Sequence, residues 1–403
     1  MTNFTSIEKL LIIAPQNPYP ATDGGKIGIY YPIIHLARHF QIHFVFITAQ
    51  KVDKTAYKHF EEHGINIYPQ VTPTKDTIPG YLLNFLSKLP YKFSKYFKNS
   101  IYNNIAAIVQ QQQITRVWCN HPHVASYAIR LKRQFNLSIY LRAHNIEFAL
   151  VQQAARVITN PLVKAFVRYQ SAKTKQFEVL CWQNFNKVFF ITEADLAQAQ
   201  RLMPGQENFS VLHDSFQKLK PAIDTQIEPK SFLITSPLIT FQNTYNLRNF
   251  IKTIWLPLVQ QWPEYKLYLT GNSNDVLQKA LKCNPAQFGI YNLGFVDDLA
   301  TVIQSKKYFI APTYIGSGVR IKLLNALQLG SVCLVTPLDE GMLPALEHGK
   351  NIISFTDYTS FVDNLSMLEE DEAYYQLVSE NAKQVVSQLS WRVYAEQVND
   401  AIA

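Results

Sequence analysis

Short apolar runs alternate with longer amphipathic segments over most of the chain. Such runs, bounded by turn-forming residues, read as strands buried on both faces, and the segments between them as covering helices. The pattern predicts first-half strands at Leu10–Ala14, Ile42–Thr48, Ile65–Tyr68, Arg116–Cys119, Ser138–Arg142, Lys187–Ile191 and Phe209–Leu212. In the second half it predicts Ser231–Thr235, Lys266–Thr270, Ile290–Leu293, Lys307–Ala311, Val332–Val335 and Asn351–Ser354. The alternation pauses over 214–230, a polar stretch with Pro221 and Pro229 that reads as a linker. The expected fold class is therefore α/β, with two doubly wound Rossmann-like domains, residues 1–213 and 231–385. Sheets of this kind bind ligands beyond the carboxyl ends of their strands, so two facing domains would share one cleft. A single large sheet is the alternative, made less attractive by two similar halves around a polar hinge.

Bulk composition agrees. A chain of 403 residues can bury two cores, and 47% apolar with 17% charged residues marks a globular protein. Cys119, Cys181, Cys283 and Cys333 lie far apart, without metal-ligand spacing, and read as reduced buried thiols. The start, MTNFTSIEKLLIIAP, lacks the basic-then-apolar form of a signal peptide. No apolar run reaches the roughly 20 residues that would span a bilayer, so a cytoplasmic protein is expected.

Charge changes the picture. From Thr77 to Ile146 there is no Asp or Glu, while nine cations give a surplus of +9 against +8 for the whole chain. Within that window Lys88, Lys92, Lys95 and Lys98 interleave with Tyr81, Phe85, Tyr91, Phe93, Tyr96 and Phe97. Basic and aromatic residues together suit an anionic membrane surface, here the inner face of the membrane, or an anionic acceptor. A packed helix pair with lysines in water fits the same pattern equally well. A nucleic-acid partner shares the composition but is not expected.

The segment PTYIGSGVRIKLLNALQLG, Pro312 to Gly330, carries the most chemistry. An apolar run ends at Pro312, a loop follows with Gly316, Ser317 and Gly318, and the loop opens a helix whose first turn carries Arg320 and Lys322. Free N–H groups, the positive end of a helix and two cations make an anion site, and glycines admit a bulky diphosphate. A second glycine loop, Pro20–Gly25, follows the first strand. His144 and Glu147 lie just beyond another strand end, and Cys119, His121 and His123 beyond the one before it. A zinc site there is disfavoured, since structural zinc takes four ligands and usually paired cysteines.

The chain resembles the GT-B glycosyltransferases of the retaining family 4 type. The resemblance rests on GSGVRIK and on LLIIAPQNPYPATDGGKIGIYY from Leu10, LRAHNIEF from Leu141 and FFITEADL from Phe189. It also rests on NLGFVDDL from Asn292 and LSWRVYAEQV from Leu389, all in the family's order. It implies two Rossmann-like domains around a cleft and a closing helix, 386–403, crossing back to the first domain. It implies a donor diphosphate held by Gly316, Ser317 and Gly318, with Arg320, Lys322 and His144 acting in catalysis. Gly24 and Gly25 would approach the donor phosphates, with Asp23, His121 and Glu147 on the acceptor side. Phe295 and Val296 would meet the nucleotide base, Glu340 and Gly341 the donor sugar, and His213 would add a polar contact. The family's E-x7-E pair falls on Ser317 and Asn325, so an amide stands where a ribose-binding carboxylate is usual.

The resemblance thus implies transfer of a sugar from a UDP- or GDP-sugar to a glycan or lipid-linked acceptor, with retention. The sequence has no Asp-x-Asp pair, so neither a metal nor any other cofactor is expected, and cations would neutralise the diphosphate. One alternative is a catalytically impaired GT-B scaffold that binds glycan or nucleotide, suggested by Asn325. A Rossmann dehydrogenase would need GxGxxG after the first strand, and PATDGGKIG lacks that spacing.

Overall fold

A computed structural model describes residues 8–216, 218–223, 225–235, 240–271, 284–316, 318–337 and 342–402. The chain divides into two compact units, Met1–Ser215 with Ser390–Ala403, and Phe216–Leu389. Each is built on one parallel sheet.

The first sheet comprises β1 (Lys9–Ala14), β2 (Gln41–Thr48), β3 (Asn66–Val71), β4 (Arg116–Asn120), β5 (Ser138–Ala143), β6 (Lys187–Phe190) and β7 (Phe209–Val211). Its spatial order is β3-β2-β1-β4-β5-β6-β7, every pair parallel. The second comprises β8 (Glu228–Thr235), β9 (Lys266–Thr270), β10 (Ile290–Gly294), β11 (Lys306–Ala311), β12 (Val332–Val335) and β13 (Ile353–Ser354). Its order, β10-β9-β8-β11-β12-β13, repeats the same doubly wound plan. Every predicted run coincides with a strand to within a few residues; the central strands are plainest, because parallel strands covered on both faces must be apolar throughout. Leu10 to Ala14 of β1 illustrate this, being wholly buried.

Strand order reverses between β1 and β4 in the first unit and between β8 and β11 in the second. At such switch points the following loops part and leave room for ligand. In the first unit the sheet packs against helix Pro161–Asn184, whose start is set by Asn160 capping two backbone N–H groups and by Pro161 in the first turn. Phe177, Cys181 and Trp182 of that helix join Val117, Ile139 and Leu141 in the core. In the second, the rings of Phe232, Phe250, Trp255, Tyr308 and Phe361 pack into the core on one face.

Two local outcomes differ from the plain pattern. The expected linker gives up its last residues to β8, because Glu228 binds Lys266, Lys306 and Tyr268 through its side chain and Ser305 through its backbone. The basic-aromatic segment forms a helix pair, but its aromatics are not all in the core nor its lysines all in water. It forms the short helices Ile78–Leu83 and Tyr91–Ser94. Tyr91 and Phe93 are buried, and Lys95 is ion-paired to Asp76 at 2.7 Å, whereas Phe85 and Leu86 are exposed. Helix Trp391–Ile402 packs within the first unit, its Trp391 ring lying nearly parallel to Tyr31 at 6.2 Å.

Candidate functional site

In the second unit the glycine loop leaves β11 at the switch point. Asn246, buried on helix Phe241–Phe250, clamps the loop's approach: its Oδ1 accepts the backbone N–H groups of Tyr314 and Ile315, each at 3.0 Å, and its Nδ2 donates to the Ile315 carbonyl at 2.9 Å. Thr336, just past β12, donates from Oγ1 to the Thr313 carbonyl at 2.7 Å and accepts its N–H at 3.1 Å. Gly316 has φ 153° and Gly318 φ 73°, values that only glycine adopts without strain. A Cβ on Gly316 would lie 2.6 Å from the Arg320 guanidinium, so the cation folds directly over the loop. Arg320 donates from Nη1 to the Gly318 carbonyl at 2.7 Å. Helix Ile321–Gln328 begins one residue later than the sequence suggests, with Arg320 as its cap residue and no side-chain cap bond. Lys322 stands in its first turn, partly buried.

Asn325 is buried on the same helix and accepts a hydrogen bond from the Gln328 amide at 3.2 Å. Phe295 is largely exposed just beyond β10, with Val296 beside it partly buried. Ser317, Glu340 and Gly341 lie outside the described residues, as does Cys283.

In the first unit the sequence-derived residues fall into two groups. Gly24 and Gly25 open helix Gly24–Leu36, and Asp23 is its N-cap, accepting the Lys26 N–H at 3.0 Å. Asp23 thus has a structural task of its own. His213, after β7, pairs with Glu193 at 2.9 Å and approaches the Ile191 carbonyl.

The other group gathers beyond β4 and β5. Arg142, in β5, is completely buried and ion-paired to Asp214, and donates to the Gly28 carbonyl and to Asn120 Oδ1. Tyr394 of the closing helix lies beneath its guanidinium at 5.2 Å. Asn120 Oδ1 also bonds His144 Nε2 at 2.8 Å. The His121 ring stacks on His144 with centroids 3.8 Å apart and planes within 7°. Burial, then Arg142 and the neighbouring imidazoles, hold His144 well below the usual histidine range. His123 stacks on Phe93 at 4.7 Å.

Glu147 begins helix Glu147–Val157, whose N-terminus has no local cap. The buried carboxylate of Glu178 supplies one from a distance, accepting the N–H groups of Glu147 and Phe148 at 2.9 and 2.8 Å. Burial pushes the Glu147 carboxyl up, and burial together with Glu147 pushes Glu178 well up. One ligand atom each of His121, His123 and Glu147 lies within 4.8 Å of the others. Cys119 does not join them; its buried thiol, raised far above the thiol range by burial, bonds the backbone of Ala128.

Arg142 as an anchor, Asp214, Glu178 and Asn246 were not singled out from sequence. A charged residue inside a two-face-buried strand is a signal for Arg142, since it demands a partner. The partners of Glu178 and Asn246 lie 31 and 69 positions away and carry no local signature.

The two sheets, each with its helices, form the GT-B fold, and residues 229–371 match the family model of the glycosyl transferases group 1. An uncharacterized 44.6 kDa protein from the cps region of Klebsiella pneumoniae is 18% identical, over 89% of this chain and 90% of its own length. Sucrose-phosphate synthase from Thermosynechococcus elongatus superposes with a TM-score of 0.71 at 12% identity, covering 98% of each chain. HepE from Anabaena, solved with UDP, superposes at 0.66 with 12% identity, covering 98% of this chain and 99% of its own.

Proposed function

We propose that the chain transfers a sugar from a nucleoside diphosphate sugar, UDP- or GDP-linked, to a glycan or lipid-linked acceptor with retention of anomeric configuration. The observation that carries this reading is Arg320 folded over Gly316 at the head of helix Ile321–Gln328, whose cap residue makes no side-chain cap bond, at the second sheet's switch point. A diphosphate in that loop meets backbone N–H groups, the positive helix end, Arg320 and Lys322. These groups neutralise the leaving charge without a metal at the diphosphate. The UDP and UDP-glucose complexes of HepE support a nucleotide-sugar ligand for this fold. Phe295, exposed beyond β10, offers a ring to the base, and the family resemblance assigns His144 to the transferred sugar.

The acceptor side belongs to the first unit. Leu83, Leu86 and Leu162 are 70%, 91% and 81% exposed, and Phe85 joins the segments carrying them by stacking on Tyr169 and meeting Phe166 edge-on. With Lys88, Lys92 and Lys98 in the same segment, this surface suits an anionic membrane or the lipid part of an acceptor. No described helix is long and apolar enough to cross a membrane.

Asn325 favours a second reading, a scaffold that binds nucleotide or glycan without turnover. Purified protein is offered UDP- and GDP-sugars and release of nucleoside diphosphate is followed; binding without release supports the scaffold, release supports the transferase.

A further inference from the structure

We propose that His121, His123 and Glu147 form a binding site for one divalent transition-metal ion of the zinc class. Two imidazoles and a carboxylate, with ligand atoms within 4.8 Å of one another, are the donor set of open three-ligand zinc sites. Nitrogen donors select zinc, cobalt or iron over magnesium and calcium. Three protein ligands leave a position for water or a substrate oxygen.

Independent features of the chain hold these groups in place. His121 directly follows β4 with φ 109°, a conformation that strains any residue bearing a Cβ and tends to persist at functional positions. Its ring is braced by the stack on His144, and the His123 ring by the stack on Phe93. Glu147 is held through its backbone by Glu178. Such outer supports are what fix metal ligands in orientation.

The site also lacks what a bound ion supplies. Nδ1 of His121 and Nδ1 of His123 are buried with no hydrogen-bond partner, an arrangement that destabilises the fold when left unmet. Among the described residues no cation is ion-paired with Glu147, whose side chain bonds the Asn145 amide. The nearest cations have other positions: Lys95 is tied to Asp76, Arg142 to Asp214, and Lys92 is exposed. The inference does not rest on sugar transfer, and it leaves the donor diphosphate to Arg320 and Lys322.

The test uses the full chain, stripped with a chelator and titrated with Co²⁺, read by visible absorption, and with Zn²⁺ against a chromogenic chelator. The expected result is saturation at about one equivalent with the absorption of a four- or five-coordinate ion. His121→Asn, His123→Asn and Glu147→Gln each weaken binding at least about tenfold, whereas His63→Asn, on the surface, does not. Absence of saturable binding in the wild type overturns the proposal, as does unchanged binding in all three variants. If a variant fails to fold, X-ray absorption of the wild-type zinc complex decides, because a ligand shell without imidazole contradicts the assignment.

Discussion

Asn246 and Ile315 exchange a reciprocal pair of hydrogen bonds, the side-chain amide giving one to the Ile315 carbonyl and taking one from its N–H. One buried amide thereby fixes the backbone one residue before the glycine turn. Asn246→Ala leaves three backbone groups without that partner, at about 1–3 kcal/mol each if none finds water. We expect at least about tenfold weaker binding of nucleoside diphosphate by calorimetry, with Asn246→Asp intermediate because it keeps the acceptor and loses the donor. Unchanged affinity in a folded Ala variant would separate the loop from the ligand.

The Arg142–Asp214 pair predicts an asymmetric cost. Breaking a fully buried pair from one side leaves an uncompensated charge, worth about 3–5 kcal/mol. Asp214→Asn and Arg142→Ala are each expected to lower the unfolding free energy by that order, measured by chemical denaturation. The double variant is expected to lose much less than the sum of the two. Additive losses would show that the two side chains do not act as a pair.

The strands were legible because burial on both faces writes a continuous apolar run, and Leu10–Ala14 and Val332–Val335 carry that run in full. Strand ends then drew attention to His144 and to the Gly316 loop. What stayed hidden depends on long-range packing. Tyr91 and Phe93 look like Tyr81 and Phe85 in sequence, yet the first pair, on helix Tyr91–Ser94, is inside, and Phe85, in the turn Asn84–Leu86 after the other helix, is outside. Cys119 shares the spacing of His121 and His123, and a continued strand would put all three on one face; but β4 ends at Asn120, His121 turns the chain with φ 109° and His123 sits in the short turn Pro122–Val124, so Glu147 joins the two histidines instead.

Glu228 supplies a pH test of the second unit. Burial alone would raise its pKa, but hydrogen bonds from Lys306, Lys266 and Tyr268 outweigh this and bring it from 4.5 to about 2. A carboxylate depressed in the folded state stabilises above its unfolded pKa, and that stability is lost as pH falls from about 4.5 to about 2. With solvent screening at a partly exposed site, the contribution at neutral pH is on the order of 1–2 kcal/mol. Glu228→Gln is expected to remove it at pH 7 and to differ little from wild type near pH 2, by chemical denaturation. An equal deficit at both pH values would rule the charge out as its source.

The exposed face around Leu86 and Leu162 predicts vesicle binding that requires anionic lipid and weakens between low and physiological salt. Replacing Leu86 and Leu162 by Ser and Lys88 and Lys92 by Gln is expected to abolish flotation with vesicles. Donor hydrolysis is expected to persist in that variant. Wild-type protein that never floats with vesicles would end the membrane reading.

The central claim is a diphosphate held by Arg320 and Lys322. Its most direct measurement is release of nucleoside diphosphate from a panel of UDP- and GDP-sugars by wild type, Arg320→Ala and Lys322→Ala. The account predicts release from at least one donor by wild type, and a loss of at least about tenfold in each variant, since a charge-assisted contact contributes roughly 1.5–3 kcal/mol. Wild-type rates in both variants, or no release and no binding of any donor by the wild type, would contradict it.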